Sequence, residues 1–290
     1  MPNDILQGII GVPSLNQNHL AQINALISAC RRHEGLEGPL HLEPPRATHG
    51  DETNQFLYYK DGALIAIVTL PPDDRIELLG MVHPDHRRQG IGRALLRAAR
   101  DECRRRGVPE LLLVCEEAAP AGKAFALAMG GSYRFSEHRM ELDATVFLRS
   151  PPRTEAIAID RADGRDLETL VRLCSASTDA IDERTRAQVV RWLDEPNQRF
   201  YIGRIADQAI GVLRAGFYGD VVYLASFRIL AGFEGYGFGR QMLETVAAEL
   251  LSEGKVVRLE VETNNAIALA LYRSCGFKPI STFHYYKLQT

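Results

Sequence analysis

Two stretches decide how this chain is read: Val82-His-Pro-Asp-His-Arg-Arg-Gln-Gly-Ile-Gly-Arg-Ala-Leu-Leu96 and Ile229-Leu-Ala-Gly-Phe-Glu-Gly-Tyr-Gly-Phe-Gly-Arg-Gln-Met-Leu243. Aligned, they place Val82 on Ile229, Gly90 on Gly237, Gly92 on Gly239 and Arg93 on Arg240, at a constant offset of 147 residues (Gly90 to Gly237). A repeat spaced at half of a 290-residue chain argues for two copies of one unit rather than a single large domain. Upstream, each copy carries a pair of strand-like runs around a short turn. The first is Gln55-Phe-Leu-Tyr-Tyr59 and Ala63-Leu-Ile-Ala-Ile-Val-Thr69 about Asp61-Gly62; the second flanks Ala206-Asp207. Asp-Gly is the pair a tight hairpin turn demands, because both central residues need positive φ. Each copy ends on another strand-like run, His138–Leu142 and Tyr285–Leu288. Ser150-Pro151-Pro152 can continue neither a helix nor a central strand, since proline lacks the amide donor. The boundary is therefore expected near residue 150, giving copies 1–150 and 151–290.

Composition narrows the class. The net charge of -3 supplies no basic field for nucleic acid or an anionic membrane, and no apolar run is long enough to span a bilayer. The N-terminus MPNDILQGII does not read as a signal peptide. The five cysteines are scattered, with no C-x-x-C pair, so neither a zinc cage nor a disulfide framework is indicated. A cytoplasmic protein without metal, membrane or nucleic-acid partner is the expectation.

Each glycine loop lies between a strand, Ile76–Val82 in the first copy, and an amphipathic helix that puts Ile91, Leu95, Ala99 and Cys103 on one stripe. A glycine turn opening a helix presents unpaired backbone N–H groups beside the positive end of the helix dipole, which suits a phosphate or diphosphate. Glycine is required where a Cβ would block the ligand or where φ is positive. By itself the pattern fits a structural turn equally well. It is neither a P-loop, lacking G-x-x-x-x-G-K-[ST], nor a G-x-G-x-x-G dinucleotide fingerprint.

In full, however, Arg87-Arg-Gln-Gly-Ile-Gly92 resembles the coenzyme A diphosphate loop of the GNAT superfamily, Q/R-x-x-G-x-G/A, with Arg87, Gly90 and Gly92 in the matching places. The resemblance implies that Arg87, Arg88, Gln89, Gly90, Ile91, Gly92 and Arg93 surround the diphosphate, and that the strand ending at Val82 pairs with the pantetheine arm. In the second copy Gly235, Gly237, Gly239 and Arg240, with the strand ending at Ile229, take those places. Glu234 stands where the first copy has Arg87, a repulsive substitution beside a diphosphate. The implied fold is mixed α/β (α+β): two tandem GNAT-type domains, each a twisted, mostly antiparallel sheet flanked by helices. The tandem arrangement is similar in architecture to mycothiol synthase and other double-domain transferases of the superfamily.

A second motif belongs to the C-terminal copy alone. Asn265-Ala-Ile-Ala-Leu-Ala-Leu-Tyr-Arg-Ser-Cys-Gly-Phe277 resembles the family's N-x-x-A-x-x-L-Y-x-x-x-G-F, through Asn265, Ala268, Leu271, Tyr272, Gly276 and Phe277. The resemblance implies that Asn265 contacts the pantetheine and that Tyr272 protonates the departing thiolate. A phenol suits that task because it holds its proton at neutral pH. The bland reading of Tyr272 is a helix aromatic packed on the sheet. By the same offset Tyr272 lands on Phe125 and Asn265 on Ala118, so the first copy has lost both groups. The expected function is acyl-CoA-dependent N-acyltransfer, acetyl from acetyl-CoA to a small-molecule or peptide amine, in the C-terminal copy. The competing reading is an acyl-CoA-binding module without turnover.

An amine attacks only when neutral, so a base is needed. Glu77 precedes the first loop, but its counterpart is Leu224; Glu262 and Glu260 are the remaining candidates, against a reading as solvated strand carboxylates. Cys115 and Cys275 read as packing residues. Arg93, Arg97, Arg100 and Arg104 form a basic stripe, read mainly as a solvated face. His83 and His86 read as turn residues rather than a metal pair.

Overall fold

The computed structural model describes residues 6–36, 52–70, 76–147, 156–175 and 183–290. The proline junction at residues 150–153 and most of the stretch from Gly35 to Asp51 lie outside the described residues. Two compact units result: Met1–Ser136 with Ser281–Thr290, and Glu137–Ile280. This division differs from a cut near residue 150, for a reason that lies in the closing strands.

The first unit holds β1 (Gly8–Val12), α1 (Gln17–Glu34), β2 (Gln55–Lys60), β3 (Ala63–Thr69), β4 (Ile76–Val82), α2 (Ile91–Arg105), β5 (Glu110–Glu116), α3 (Pro120–Ala128) and the start of β6 (Ser132–Leu142). Asp61 and Gly62 turn β2 into β3 with φ of 51° and 80°, the conformation their types favour. The strands run β1-β2-β3-β4-β5, antiparallel except for the β4–β5 pair. Helix α1 packs Ile23, Leu26, Ile27 and Cys30 on one face against Leu57, Tyr59 and Ile67. On the other face α2 buries Ile91, Leu95, Ala99 and Cys103, the stripe expected from their spacing, against Val68, Leu78, Leu111 and Leu113.

The second unit holds the rest of β6, α4 (Ala144–Phe147), β7 (Ala158–Ala162), α5 (Leu167–Cys174), α6 (Glu183–Asp194), β8 (Gln198–Ile205), β9 (Gln208–Tyr218), β10 (Val221–Ile229), α7 (Phe238–Ser252), β11 (Val256–Glu262) and α8 (Ala266–Ser274). Its sheet runs β7-β8-β9-β10-β11-β6, and only β10–β11 is parallel. Helices α5 and α6 cover one face through Leu170, Val171, Leu173 and Val189. Helices α7 and α8 cover the other through Met242, Leu243, Val246, Leu269 and Tyr272.

The closing strands are exchanged. Glu137–Glu141 of β6 pairs with β11 in the second unit, and Phe283–Gln289 of the last strand, β12 (Phe277–Gln289), pairs with β5 in the first. Both strands are long, and their apolar residues decide where each half is buried. Met140 and Leu142 lie in the second core, Tyr286 and Leu288 in the first. Each strand-like tail thus completes the other copy's sheet rather than its own. Among the described residues no helix is long and apolar enough to cross a membrane.

Candidate functional site

Each unit contains one parallel strand pair that separates part-way along. In the first unit β4 and β5 are in register only from Ile76↔Leu111 to Leu78↔Leu113, after which Leu79–Val82 run on without a β5 partner. In the second the ladder runs from Val221↔Val256 to Leu224↔Leu259, leaving Ala225–Ile229 and Glu260–Glu262 apart. Such a wedge exposes strand edges to which an extended ligand can add as a strand. A glycine loop and a helix N-terminus stand at the end of each wedge.

Gly90 and Gly237 cap α2 and α7 in the left-handed region, with φ of 82° and 87°. A Cβ added at either would meet no protein atom within 4 Å, so internal packing does not require the glycine. The backbone turn requires it, and the space in front stays open to whatever approaches the amides. The first N–H groups of each helix have no acceptor within the helix. In both loops, backbone amides at a helix N-terminus thus face open space beside a left-handed glycine.

The two sites differ in what surrounds these loops. In the first, Arg87 is turned away: its guanidinium pairs with Glu34 of α1, and its Nε donates to the Val82 carbonyl at 3.1 Å. The carbonyl expected to meet a pantetheine thus already carries a protein donor. Phe125 of α3 presses against the start of α2, its ring atom only 3.2 Å from where a Gly92 Cβ would stand, with Val82 beside it. Phe125 carries no hydroxyl.

In the second unit β10 carries a bulge. Ala225 is opposite Arg214 and Arg228 opposite Val212, so Ser226 and Phe227 face the single residue Leu213. Ser226 pays for it with φ of 49°. The extra residue shifts the alternation of side chains. Val222 and Leu224 face α7 and α8 before it, Phe227 and Ile229 after it, while Arg228 donates to the Ser175 carbonyl at the end of α5. Phe227, Ile229 and Leu271 then line the first turn of α7 around Gly239. The sequence reading missed Ser226 and Phe227; a serine in the left-handed region carries no sequence mark of the kind a glycine does.

Tyr272 sits on α8, its ring 6.5 Å from Phe227 and 6.0 Å from Phe277. It is 9% exposed, and among the described residues no group hydrogen-bonds its hydroxyl. Burial, and then the neighbouring Cys275 thiol, push its pKa up to about 12. The phenol is therefore a protonated donor at every physiological pH. Cys275 itself is raised to about 11, chiefly by burial, and Cys115 likewise, so neither offers a thiolate nucleophile. Asn265 caps α8: its side chain accepts from the Ala268 amide at 3.1 Å, which leaves only the amide nitrogen to give to a ligand. Arg240 is drawn to Glu244, at 3.3 Å, and to Ser274.

Glu262 ends β11, exposed. Val257, Leu259 and Val261 point into the core under α7 and α8, so Arg258, Glu260 and Glu262 lie on the opposite face. Glu260 is paired with Arg139 at 2.8 Å. Glu77 lies in the paired part of β4, opposite Leu112. Of the arginine stripe on α2, Arg104 pairs with Asp101, and Glu102 turns inward to Arg105 and Arg106. His83 accepts from the Asp85 amide within the turn. Among the described residues no cluster of His, Cys, Asp or Glu could hold a metal ion.

A separating parallel strand pair with a glycine-capped helix behind it, present twice, defines an acyltransferase fold. The chain belongs to the acetyltransferase (GNAT) family, whose profile matches residues 20–130 and again 167–277. Acetyl-CoA is the acetyl donor of that family. The chain is 28% identical over 284 residues to the mycothiol acetyltransferase of Thermomonospora curvata, covering 91% of each protein. It is 29% identical over 290 residues to that of Mycolicibacterium smegmatis, covering 90% of this chain and 92% of the relative. Among solved structures, a tandem GNAT protein from the clavulanic acid biosynthesis pathway has the same fold, with a TM-score of 0.74 at 16% identity, over 97% of this chain and 98% of the other. A GCN5-related N-acetyltransferase from Sphaerobacter thermophilus gives 0.73 at 17% identity, over 97% and 95%.

Proposed function

We propose that the second unit is the catalytic one and transfers an acetyl group directly to an amine, with donor and acceptor bound together. The observation that carries this reading is Tyr272: a hydroxyl with no described partner, held protonated by burial, beside the separated end of β10. Acetyl-CoA supplies an acetyl group already activated as a thioester. The strand edges beyond Leu224 and Leu259 receive the pantetheine arm, and the amides at Gly237 and Gly239 receive the diphosphate. Asn265 donates from its free amide nitrogen to the same arm. Tyr272 gives its proton to the departing sulfur as the new C–N bond replaces the C–S bond.

Glu262 is the base that takes the proton from the attacking amine, directly or through water. It is exposed at the end of β11, beyond the last β10–β11 ladder position, on the face opposite the core that holds Tyr272. We read the chain as a duplication joined near residue 150 in which the first unit has kept the loop and lost the acid. The acceptor is a small-molecule amine; the relatives of similar length are named for mycothiol, at 28% and 29% identity.

The test is acetyl-CoA titration by calorimetry on the wild type, on Arg87→Glu and on Gly237→Trp. Binding kept in the first variant and lost in the second supports the assignment. Loss confined to Arg87→Glu moves the site to the first unit. A wild type that binds acetyl-CoA but releases no thiol with any amine would make the chain a binding module, the reading that the exposed Glu234 in the second loop favours.

A further inference from the structure

The second loop is unlike the first in one respect that the transfer chemistry leaves unused. Where the first copy has Gln89 and Ile91, the second has Tyr236 and Phe238, on either side of Gly237. The two rings are stacked, with centroids 5.8 Å apart and planes 23° from parallel. Phe238 is the anchor, packed against the core beneath α7. Tyr236 lies on it and is 73% exposed, one of the most exposed large apolar side chains among the described residues. An aromatic ring held in place by a neighbour and left open to water on its outer side is an unfinished stack. In the first loop the corresponding Gln89 instead donates to the Asp85 carbonyl at 3.3 Å.

The charges differ as well. The first loop carries Arg87, Arg88 and Arg93, whereas the second carries Glu234, exposed, and Arg240, which is engaged with Glu244 and Ser274. Ionic attraction for a nucleotide is therefore poorest in the copy that has gained the ring pair. Both rings belong to the loop that cradles the diphosphate, and the adenosine is joined to that diphosphate.

We propose that Tyr236, backed by Phe238, is the adenine platform of the second unit, the base of acetyl-CoA adding a third layer to the stack. This rests on the reading that the second loop holds the coenzyme A diphosphate. Stacking replaces the ionic contribution that Glu234 has removed. It tolerates the loop's charge because a π-face needs no counterion.

The experiment compares Tyr236→Ala and Tyr236→Phe with the wild type as full chains, measuring dissociation constants for acetyl-CoA and for S-acetyl-4′-phosphopantetheine, which lacks the adenosine. Tyr236→Ala is expected to weaken acetyl-CoA about tenfold, and Tyr236→Phe to stay within about twofold of the wild type. With S-acetyl-4′-phosphopantetheine the three proteins are expected to bind alike. Wild-type affinity for acetyl-CoA in Tyr236→Ala, or an equal loss for both donors, overturns the platform. Gly237→Trp separates the two levels: if it abolishes acetyl-CoA binding while Tyr236→Ala does nothing, only the platform falls. If Gly237→Trp leaves binding intact, the cofactor reading of this loop falls with it.

Discussion

The two units share one strand arrangement around the glycine loop and differ in the residues beside it. Both separate a parallel strand pair after a few ladder positions, and both cap the following helix with a left-handed glycine. In the first, β4 stays in unbroken register with β3 up to Val82, Phe125 closes on Gly92, and Arg87 is tied to Glu34 and the Val82 carbonyl. In the second, a bulge at Ser226 and Phe227 re-aims the end of β10, and Tyr272 brings a hydroxyl where the first has none. The difference teaches that a glycine loop has a structural reason to be present in both units, because it is the way each helix starts.

The sharpest way to break the comparison is to make the second unit resemble the first. Tyr272→Phe is expected to lower kcat for thiol release by about a hundredfold or more, since a positioned general acid contributes on that scale. The melting temperature should hardly move, because among the described residues no hydrogen bond is lost. An unchanged kcat would remove Tyr272 from the chemistry. The phenol's raised pKa adds a pH signature. Its proton is present below about pH 12, so the pH–rate profile should show no alkaline decline up to pH ~11. A decline between pH 8 and 10 (roughly where an ordinary phenol begins to ionise) would contradict the burial seen here.

A smaller kinetic effect is expected from Glu262→Gln, about tenfold in kcat with the acetyl-CoA dissociation constant unchanged, because an exposed carboxylate is partly replaced by solvent as proton acceptor. The converse substitution, Phe125→Tyr in the first unit, should add no turnover to a Tyr272→Phe chain. Gain of activity there would show that the hydroxyl alone separates the two copies.

The first unit is expected to dominate acid sensitivity through Glu102. Burial raises the pKa of this carboxyl, but hydrogen bonds from Arg105, Arg106 and the Thr53 amide outweigh burial and bring it down to about 2. A carboxyl depressed in the folded state stabilises fully above its ordinary pKa and loses that contribution as pH falls toward the folded value. The shift corresponds to a contribution on the order of 3 kcal/mol, lost between about pH 5 and 2. Denaturant titrations of Glu102→Gln and wild type at pH 7 and pH 3 measure this: the variant should be less stable at pH 7, by a margin that shrinks by about half or more at pH 3. Equal stability at both pH values would mean that the network adds nothing.

The sequence by itself determined the features whose causes are local. The Asp61-Gly62 hairpin, the buried stripe on α2, the glycine caps at Gly90 and Gly237, and the cap and hydroxyl at Asn265 and Tyr272 all follow from residue type within a turn or two of chain, and the repeat of such local patterns 147 residues apart shows the duplication. Tertiary structure alone decided the rest. Nothing near His138 or Tyr285 says that each closing strand serves the other unit, because that choice is made by cores built from residues more than a hundred positions away. Arg87 matched its motif, yet its guanidinium is held by Glu34, fifty-three residues earlier. The bulge at Ser226 follows from which side chains must face α7 and α8, and that requirement exists only once the helices are packed. A local pattern records backbone needs; it cannot record partners that folding brings from far along the chain.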